Sequence, residues 1–486
     1  MSCRRGLWGL VIVSWGCVPS PPAIAPDSGL AVPDSGLAAR DAGHAADDAR
    51  AGQPDADPAD AFSGQPDADP IDADSPTDAL PVDAQLGPPD AGAPADSGVS
   101  DSGPRPDAGS LTSTSCQRPS PPFSPLEQAL ADLPADRWYE APNTPMRPLC
   151  PPNIDGCANI INAWSGGAWD DVHQRMLVFG GGHGDYAGNE LFAFDLATLS
   201  WSLLSDASDP SFRSMDPLPD GKPVSRHSYD GLQYLTHANV FWAHGGSRWQ
   251  DGSGTNLTWT YASETNTWTN MMPTGNAVRF AGCCSESSIY DPVTRLVFDK
   301  DNNLLRSYDL SANVWTELAD LGLPPLWPRY AAAHEPTGGL DALRRTVWFV
   351  GGNLFLVYDI ASSTFITDSW ATTGGSNYDN SADIGGHSEQ RFTSGGGEVI
   401  TAQGPGFAYD PSADDFVAFV SGAPWILDLT TKQWSRGSAT GAPERTMNSR
   451  GTYGRWRYIP RVNAFILVND VDENVYFYKH TAGCGG

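Results

Sequence analysis

The sequence predicts an all-β protein, a β-propeller of six blades, and three observations support this prediction. Short apolar runs of strand length recur along the chain, and several end in glycine, as in the segment from Met176 to Gly182. A spacing of seven residues separates an apolar residue from a large aromatic residue at five places. Of the 17 tryptophans, 15 lie after residue 112. Units of this size cannot cover their own apolar faces, so we expect them to pack side by side.

The first full unit shows the pattern most clearly. An apolar strand from Met176 to Phe179 runs into three glycines, and a polar loop leads to a second strand that begins at Glu190. Phe194 in that strand is followed by Trp201 after a short turn, and the alternation around Phe194 suits a half-buried pleated strand. The later pairs with the same spacing are Tyr261 and Trp268, Tyr308 and Trp315, Tyr358 and Phe365, and Leu427 and Trp434.

This combination of spacing and glycines is typical of kelch repeats. The chain from about residue 130 to residue 480 resembles the kelch-repeat and galactose-oxidase-like β-propellers. The diglycine is clear in the units that end at Trp201, Trp268 and Phe365, and it is missing from the third unit. The resemblance implies four-stranded blades whose loops converge on a central pit at one face.

A sixth unit begins near Thr452 and has three strands before residue 486. Its missing outer strand has a candidate far upstream, the segment Arg137–Trp138–Tyr139. Closure of the last blade by an N-terminal strand would remove an exposed sheet edge. We therefore predict six blades, with seven as the alternative.

The first 17 residues resemble a bacterial lipoprotein signal. Arg4 and Arg5 precede an apolar core, and Cys17 is the residue that would carry the lipid, although Trp15 replaces the usual small residue. The expectation is an exported cell-surface or outer-membrane lipoprotein, or a secreted protein if Cys17 is not lipidated. No other stretch approaches 18 consecutive apolar residues, so the lipid anchor is the only membrane contact predicted.

Residues 18 to 112 are predicted to form a disordered linker, and residues 113 to 486 the propeller. Residues 1 to 112 contain 18 Asp and 5 Arg but no Glu or Lys, and the heptapeptide GQPDADP occurs twice. Such a segment cannot bury enough apolar surface to offset the entropy of ordering. The whole chain carries a formal charge of −29, which excludes the basic face of a nucleic-acid-binding protein.

Six cysteines remain outside the signal, an even number that favours disulfides in an exported chain. Cys150 and Cys157 bracket a short proline-rich loop, and ring closure would bring Cys116 near Cys484. The neighbours Cys283 and Cys284 form either a vicinal disulfide or thiols. A zinc site using one of them with His334 has too few ligands, so we predict no metal and no cofactor.

The candidate ligand site lies where two sets of loops open on one face. Loops inside the first two blades carry His183, Asp185, Tyr186 and Asn189, and then Arg248 and Trp249. Loops between blades carry Arg226 with His227, Arg279, Arg329 with Tyr330, His387 with Arg391, and Arg450. A guanidinium pairs carboxylate or sulfate bidentately, so five such arginines predict an anionic ligand. The alternative is that these arginines bind backbone carbonyls or neighbouring aspartates.

The first functional hypothesis is a monomeric, surface-anchored binding module for an anionic extracellular polysaccharide. Its aromatic platforms would be Trp164, Trp249 and Trp327.

The second hypothesis is a polysaccharide lyase acting by β-elimination on uronic-acid-containing glycans. Arg226 or Arg279 would neutralise the carboxylate, His183 or His227 would act as base, and Tyr186 would act as acid. This grouping resembles the propeller-fold lyases in residue types alone. An extracellular protein-binding kelch module and a galactose-oxidase-like copper oxidase rank lower. The oxidase family needs a Tyr–His dipeptide, and none occurs in this chain.

Overall fold

The computed structural model describes residues 122–212, 215–275, 286–301, 304–320, 335–352, 354–366, 396–431, 433–444 and 450–483. The chain divides into two units after Ser102, and all the described residues belong to the second, Gly103–Gly486. The predicted signal, lipidation site, linker and domain boundary near residue 113 lie outside the described residues. Within those residues, no helix is long and apolar enough to span a bilayer.

The described strands form six four-stranded antiparallel blades, which confirms the predicted fold. Blade 1 comprises β2 (Gly167–Asp170), β3 (Arg175–Val178), β4 (Leu191–Asp195) and β5 (Ser200–Ser205). Blade 2 comprises β7 (Leu232–Leu235), β8 (Val240–His244), β10 (Thr258–Ala262) and β11 (Thr267–Asn270). Blade 3 comprises β12 (Ser287–Asp291), β13 (Leu296–Asp301), β14 (Leu304–Asp309) and β15 (Val314–Asp320).

The second half of the ring repeats this arrangement. Blade 4 comprises β16 (Thr337–Asp341), β17 (Thr346–Gly351), β18 (Leu354–Asp359) and β19 (Thr364–Phe365). Blade 5 comprises β20 (Gly406–Asp410), β21 (Asp415–Phe419), β22 (Trp425–Asp428) and β23 (Gln433–Arg436). Blade 6 comprises β24 (Trp456–Ile459), β25 (Ala464–Leu467), β26 (Tyr476–Lys479) and β1 (Arg137–Glu140).

Short elements complete the described part of the chain. A two-stranded ribbon pairs β6 (Arg226–His227) with β9 (Ser247–Arg248). The α-helices are α1 (Pro125–Ala131), α2 (Asn159–Asn162) and α3 (Gly397–Thr401). The 3-10 helices are Arg147–Leu149, Pro210–Phe212, Tyr453–Arg455 and Pro460–Val462.

The first strands of successive blades, β2, β7, β12, β16, β20 and β24, contact one another in a closed ring. Six apolar clusters lie between neighbouring blades, one at each of the six blade-to-blade contacts. The core of the protein is therefore distributed around the ring, and each blade depends on both of its neighbours.

The seven-residue spacing corresponds to cross-strand partners of the outer hairpins. Phe194 lies opposite Trp201, and the other four pairs hold the same register in their blades. In Phe194–Trp201 the ring centroids are 5.2 Å apart, and in Tyr308–Trp315 they are 5.0 Å apart. Such pairs stabilise a sheet by direct side-chain contact.

Strand β1 closes blade 6, as the sequence predicted. Trp138 lies opposite Tyr478 in the β1–β26 ladder. The Trp138 indole is 7% exposed, and it packs against Phe419 of blade 5 and Trp456 of blade 6. The ring is thus closed by two segments from distant parts of the chain.

The disulfide between Cys150 and Cys157 is present, as predicted. It closes the loop that precedes α2. The other predicted disulfide residues, Cys116, Cys283, Cys284 and Cys484, lie outside the described residues.

Candidate functional site

Loops of blades 1, 2 and 6 meet at one group of side chains, which we call the central cluster: Trp164, His183, Asp185, His227 and Arg450. Trp164 precedes β2, His183 and Asp185 lie between β3 and β4, His227 is in β6, and Arg450 precedes β24. Four of these residues were predicted site residues, and Trp164 was a predicted aromatic platform. Their meeting depends on closure of the ring, because blade 6 lies next to blade 1.

Asp185 links the members of the central cluster. Its Oδ2 lies 2.8 Å from Nε2 of His227, and its Oδ1 accepts a hydrogen bond from Nη1 of Arg450 at 3.0 Å. Burial opposes ionisation of Asp185, but His227 and Arg450 outweigh it and hold the pKa below its usual value. Burial lowers the pKa of His227 despite the neighbouring carboxylate. At neutral pH, therefore, Asp185 is ionised and the His227 imidazole is mostly neutral.

The indole of Trp164 supports two of the polar side chains. The guanidinium of Arg450 lies over this ring at 4.5 Å from its centroid, and the His227 ring packs against it at 4.8 Å. The Arg450 side chain keeps 40% of its surface exposed. A cation is thus held over an aromatic plane at the surface, where the pair gains from cation–π attraction.

Glycines bring His183 next to His227. Gly182 has a φ of 79°, and a Cβ there would overlap the backbone of Arg226 and His227. The loop after β3 therefore packs directly against β6. His183 follows in this loop, is exposed, and has its ring centroid 5.7 Å from that of His227.

Five residues in and around the central cluster have left-handed backbone conformations. Trp164, His183, Tyr229, Glu335 and Tyr453 have φ between 39° and 62°. Non-glycine residues adopt this region at a cost of about 1–3 kcal/mol each, and such residues are frequent at functional sites. Hydrogen bonds hold some of them in place, as in the 2.7 Å contact from Tyr229 N to Trp164 O.

Glu335 is a buried carboxyl attached to the central cluster. It is 5% exposed, accepts a hydrogen bond from Tyr453 Oη at 2.9 Å, and is also hydrogen-bonded to the Trp164 side chain. Burial raises its pKa to about 8. The group is therefore mainly protonated at neutral pH, which avoids burial of a charge beneath the cluster.

The variant Glu335→Gln is expected to change the pH dependence of stability. The protonated carboxyl stabilises the fold fully below the unfolded-state pKa, and this contribution is lost as pH rises through about 8. From pH 5 to pH 8, the free energy of unfolding of the variant should rise relative to wild type by about 3 kcal/mol. Urea denaturation at both pH values measures this difference.

The matched control for this experiment is Glu398→Gln. Glu398 also accepts a hydrogen bond from an indole, that of Trp425 at 3.0 Å, but its side chain is 56% exposed. This substitution gives the baseline for loss of a carboxylate–indole hydrogen bond at an exposed position. A constant difference between Glu335→Gln and wild type would contradict the prediction.

Two predicted site residues of the first loop lie away from the central cluster. Tyr186 is fully buried and donates from its Oη to Glu190 Oε1 at 2.8 Å. Asn189 is buried and donates from its amide to Ser208 Oγ and to the carbonyl of Pro223, both at 2.9 Å. Both side chains stabilise the packing of the loop.

Three predicted residues of blade 2 have local partners. Arg226 is 1% exposed and donates to the carbonyls of Val224 and Gly245. Arg248 pairs with Asp251 through two hydrogen bonds, at 3.2 and 3.0 Å. Trp249 is half-buried and packs against the apolar cluster between blades 6 and 1. The predicted residues Arg279, Arg329, Tyr330, His387 and Arg391 lie outside the described residues.

The sequence interpretation missed Tyr229, Glu335 and Tyr453. These residues immediately surround the central cluster, and the ring of Tyr229 lies edge-on to both His227 and Tyr453. Their positions in the chain could have indicated them. Tyr229 and Glu335 lie within three residues of the first strand of a blade, and Tyr453 begins the 3-10 helix that precedes β24.

No protein-family model matches this chain, and no curated protein matches it. A structural genomics protein of unknown function from Bacteroides thetaiotaomicron VPI-5482 is 12% identical with a TM-score of 0.39, covering 63% of this chain and 67% of that one. An auxiliary nutrient binding protein from the same organism is 11% identical with a TM-score of 0.41, covering 64% and 68%. A nidogen/laminin complex is 9% identical with a TM-score of 0.34, covering 56% and 79%. At these TM-scores the likeness has no bearing on function.

Proposed function

We propose that this protein is a kelch-type propeller module that binds an anionic extracellular glycan at the central cluster. It is exported and held at the cell surface by a lipid on Cys17, with residues 18 to 112 as the linker. The observation that carries the binding proposal is the exposed guanidinium of Arg450 over the indole of Trp164, at 4.5 Å from the ring centroid.

This arrangement combines the two groups that an acidic sugar requires. A guanidinium pairs with a carboxylate or sulfate through directed hydrogen bonds. An aromatic side chain supplies an apolar surface with a polar edge. Asp185 accepts a hydrogen bond from Arg450 at 3.0 Å and so holds the guanidinium in place before a ligand arrives.

The proposed site uses one of the five arginines that the sequence predicted to bind the ligand. Arg226 is buried against carbonyl groups, and Arg248 lies outside the central cluster, so the proposal rests on Arg450, which lies within it over the Trp164 ring. Exposed His183 adds a second polar group at the same place.

The variants Arg450→Ala and Trp164→Ala are expected to weaken binding to a uronic polysaccharide by about 10- to 100-fold. This range corresponds to loss of one charge-assisted hydrogen-bonding group or one aromatic platform. Isothermal titration calorimetry measures the affinity of the purified full chain for polygalacturonate, alginate and a sulfated uronic glycan.

Arg436→Ala is the matched control, because Arg436 also lies over an indole, that of Trp425 at 4.4 Å, but in blade 5. This variant should bind like wild type. Equal affinities for the Arg450→Ala and Arg436→Ala variants would refute the assignment of the site. Failure of the wild type to bind any acidic glycan would refute the function.

A second candidate, the polysaccharide lyase, is favoured by one observation. His227 Nε2 is held by Asp185 at 2.8 Å, as a carboxylate orients a general base. With Tyr186 and Arg226 buried elsewhere, Arg450 would neutralise the sugar carboxylate, and a solvent water would protonate the leaving glycosidic oxygen. The side chain of His227 is only 3% exposed, which limits its access to a sugar proton, so the binding module ranks first. Ultraviolet absorbance from an unsaturated product, lost in His227→Gln, would establish the lyase.

A further inference from the structure

Three side chains of the central cluster form a group with the composition of a metal site. His183, Asp185 and His227 each offer one ligand atom, and these atoms all lie within 4.8 Å of one another. Among the described residues, no other His, Cys, Asp or Glu side chains form such a group of three. We propose that these residues bind a divalent transition metal ion of the zinc class. The sequence predicted no metal, because these three residues come together only in the folded chain.

The distance between Asp185 and His227 is close to that of two ligands in a tetrahedral site, and His183 would have to move closer. Zinc–nitrogen and zinc–oxygen distances of about 2.0–2.2 Å place two tetrahedral ligand atoms about 3.3 Å apart. Asp185 Oδ2 and His227 Nε2, now 2.8 Å apart, would separate by about half an ångström around an ion of this size. The His183 side chain is exposed, so its ring can turn toward the ion without disturbing the core.

Neighbouring residues orient two of the three ligands. Arg450 donates to Asp185 Oδ1, which leaves Oδ2 directed at His227. Trp164 packs against the His227 ring at 4.8 Å and fixes its plane. Outer contacts of this kind are a regular part of metal sites, and they commonly change affinity by 10- to 100-fold.

The donor set favours zinc over calcium or magnesium. Two imidazoles and one carboxylate suit zinc and its neighbours in the first transition series, whereas calcium and magnesium prefer all-oxygen sites. Three protein ligands leave a fourth position for water or another ligand. His183 is exposed and the Asp185 side chain is 21% exposed, so an ion can reach the buried His227 from their side.

The test measures zinc directly and uses no sugar, so its outcome is independent of the glycan proposal. The full chain is stripped with a chelator, equilibrated with zinc, desalted and analysed for bound metal. We expect about one more equivalent of zinc in the wild type than in His183→Ala, and at least about tenfold weaker zinc binding in the variant. The wild-type melting temperature should rise with zinc, and that of His183→Ala should not.

The control is His237→Ala. His237 lies in the turn before β8 and contacts Tyr290 Oη at 2.9 Å. The substitution therefore removes one imidazole outside the central cluster. The aspartate-rich N-terminal segment is present in every variant, so any metal bound to it cancels in the comparison. Asp185→Asn provides a second ligand variant, with near-ultraviolet circular dichroism reporting the fold. Equal zinc content in wild type, His183→Ala and His237→Ala, or no zinc in the wild type, would overturn the proposal.

Discussion

The variant Asp230→Ala is expected to lower the free energy of unfolding by about 3–5 kcal/mol, because one buried carboxylate joins four blades. Asp230 precedes β7 in blade 2 and is fully buried. Its Oδ2 accepts hydrogen bonds from Gly338 N in blade 4 at 2.7 Å and from Ser287 Oγ in blade 3 at 3.2 Å. Its Oδ1 accepts one from Arg457 Nη2 in blade 6 at 3.2 Å.

The size of the effect follows from what the substitution removes. Alanine takes away the acceptor of a buried guanidinium and of a buried backbone N–H, and both groups then lose part of their compensation for leaving water. Asp230→Asn keeps one oxygen acceptor and should cost less than Asp230→Ala. Urea or guanidinium denaturation, followed by tryptophan fluorescence, measures both variants.

Asp195→Ala is the control, because it removes an aspartate whose hydrogen bonds stay within a single blade. Asp195 accepts hydrogen bonds from Thr198 N and Thr198 Oγ1, within one exposed turn of blade 1. Its loss should cost about 1 kcal/mol. If Asp230→Ala cost no more than Asp195→Ala, the bridging of four blades would have no energetic importance.

The variant Trp138→Ala is also expected to destabilise the fold by about 3–5 kcal/mol. It removes an indole packed between Phe419 and Trp456 and the hydrogen bond from Trp138 Nε1 to Ser438 O. The cavity would lie where blade 5 meets blade 6, at the strand that closes the ring. Thermal and chemical denaturation should both show the loss.

Tyr139→Ala tests the opposite side of the same strand. Tyr139 is half-buried, and its ring lies 6.4 Å from that of Phe477. We expect a loss of about 1–2 kcal/mol, because less apolar surface is removed from a buried environment. Equal effects of the two substitutions would indicate that the strand, and not the Trp138 indole, provides the stability.

The blades were predictable because their signal is local. The spacing from Phe194 to Trp201 joins two residues that face each other across one tight turn, so a single short segment contains the whole interaction. Closure by β1 was also predictable, since Trp138 stood in an isolated strand and blade 6 lacked one.

The site was only partly predictable, since its contacts join distant segments. Arg226 and His227 are neighbours in β6, and side chains alternate along a strand, so His227 reaches Asp185 while Arg226 is buried against Gly245 O. The sequence contains no indication of which of the two faces the central cluster. Glu335 is bound by Tyr453, which is 118 residues away, and no local pattern could relate them.

Closure of blade 6 by both ends of the propeller has a consequence during synthesis. Asp136 and Tyr478, which are hydrogen-bonded at 2.7 Å, are 342 residues apart in the chain. At ordinary rates of translation, roughly 20–70 s separate the emergence of β1 from the emergence of its partner β26. Throughout that interval the nascent chain carries an unpaired strand with an apolar indole, which is a template for pairing with other chains. A chaperone bound over Trp138 would protect this strand until the ring can close.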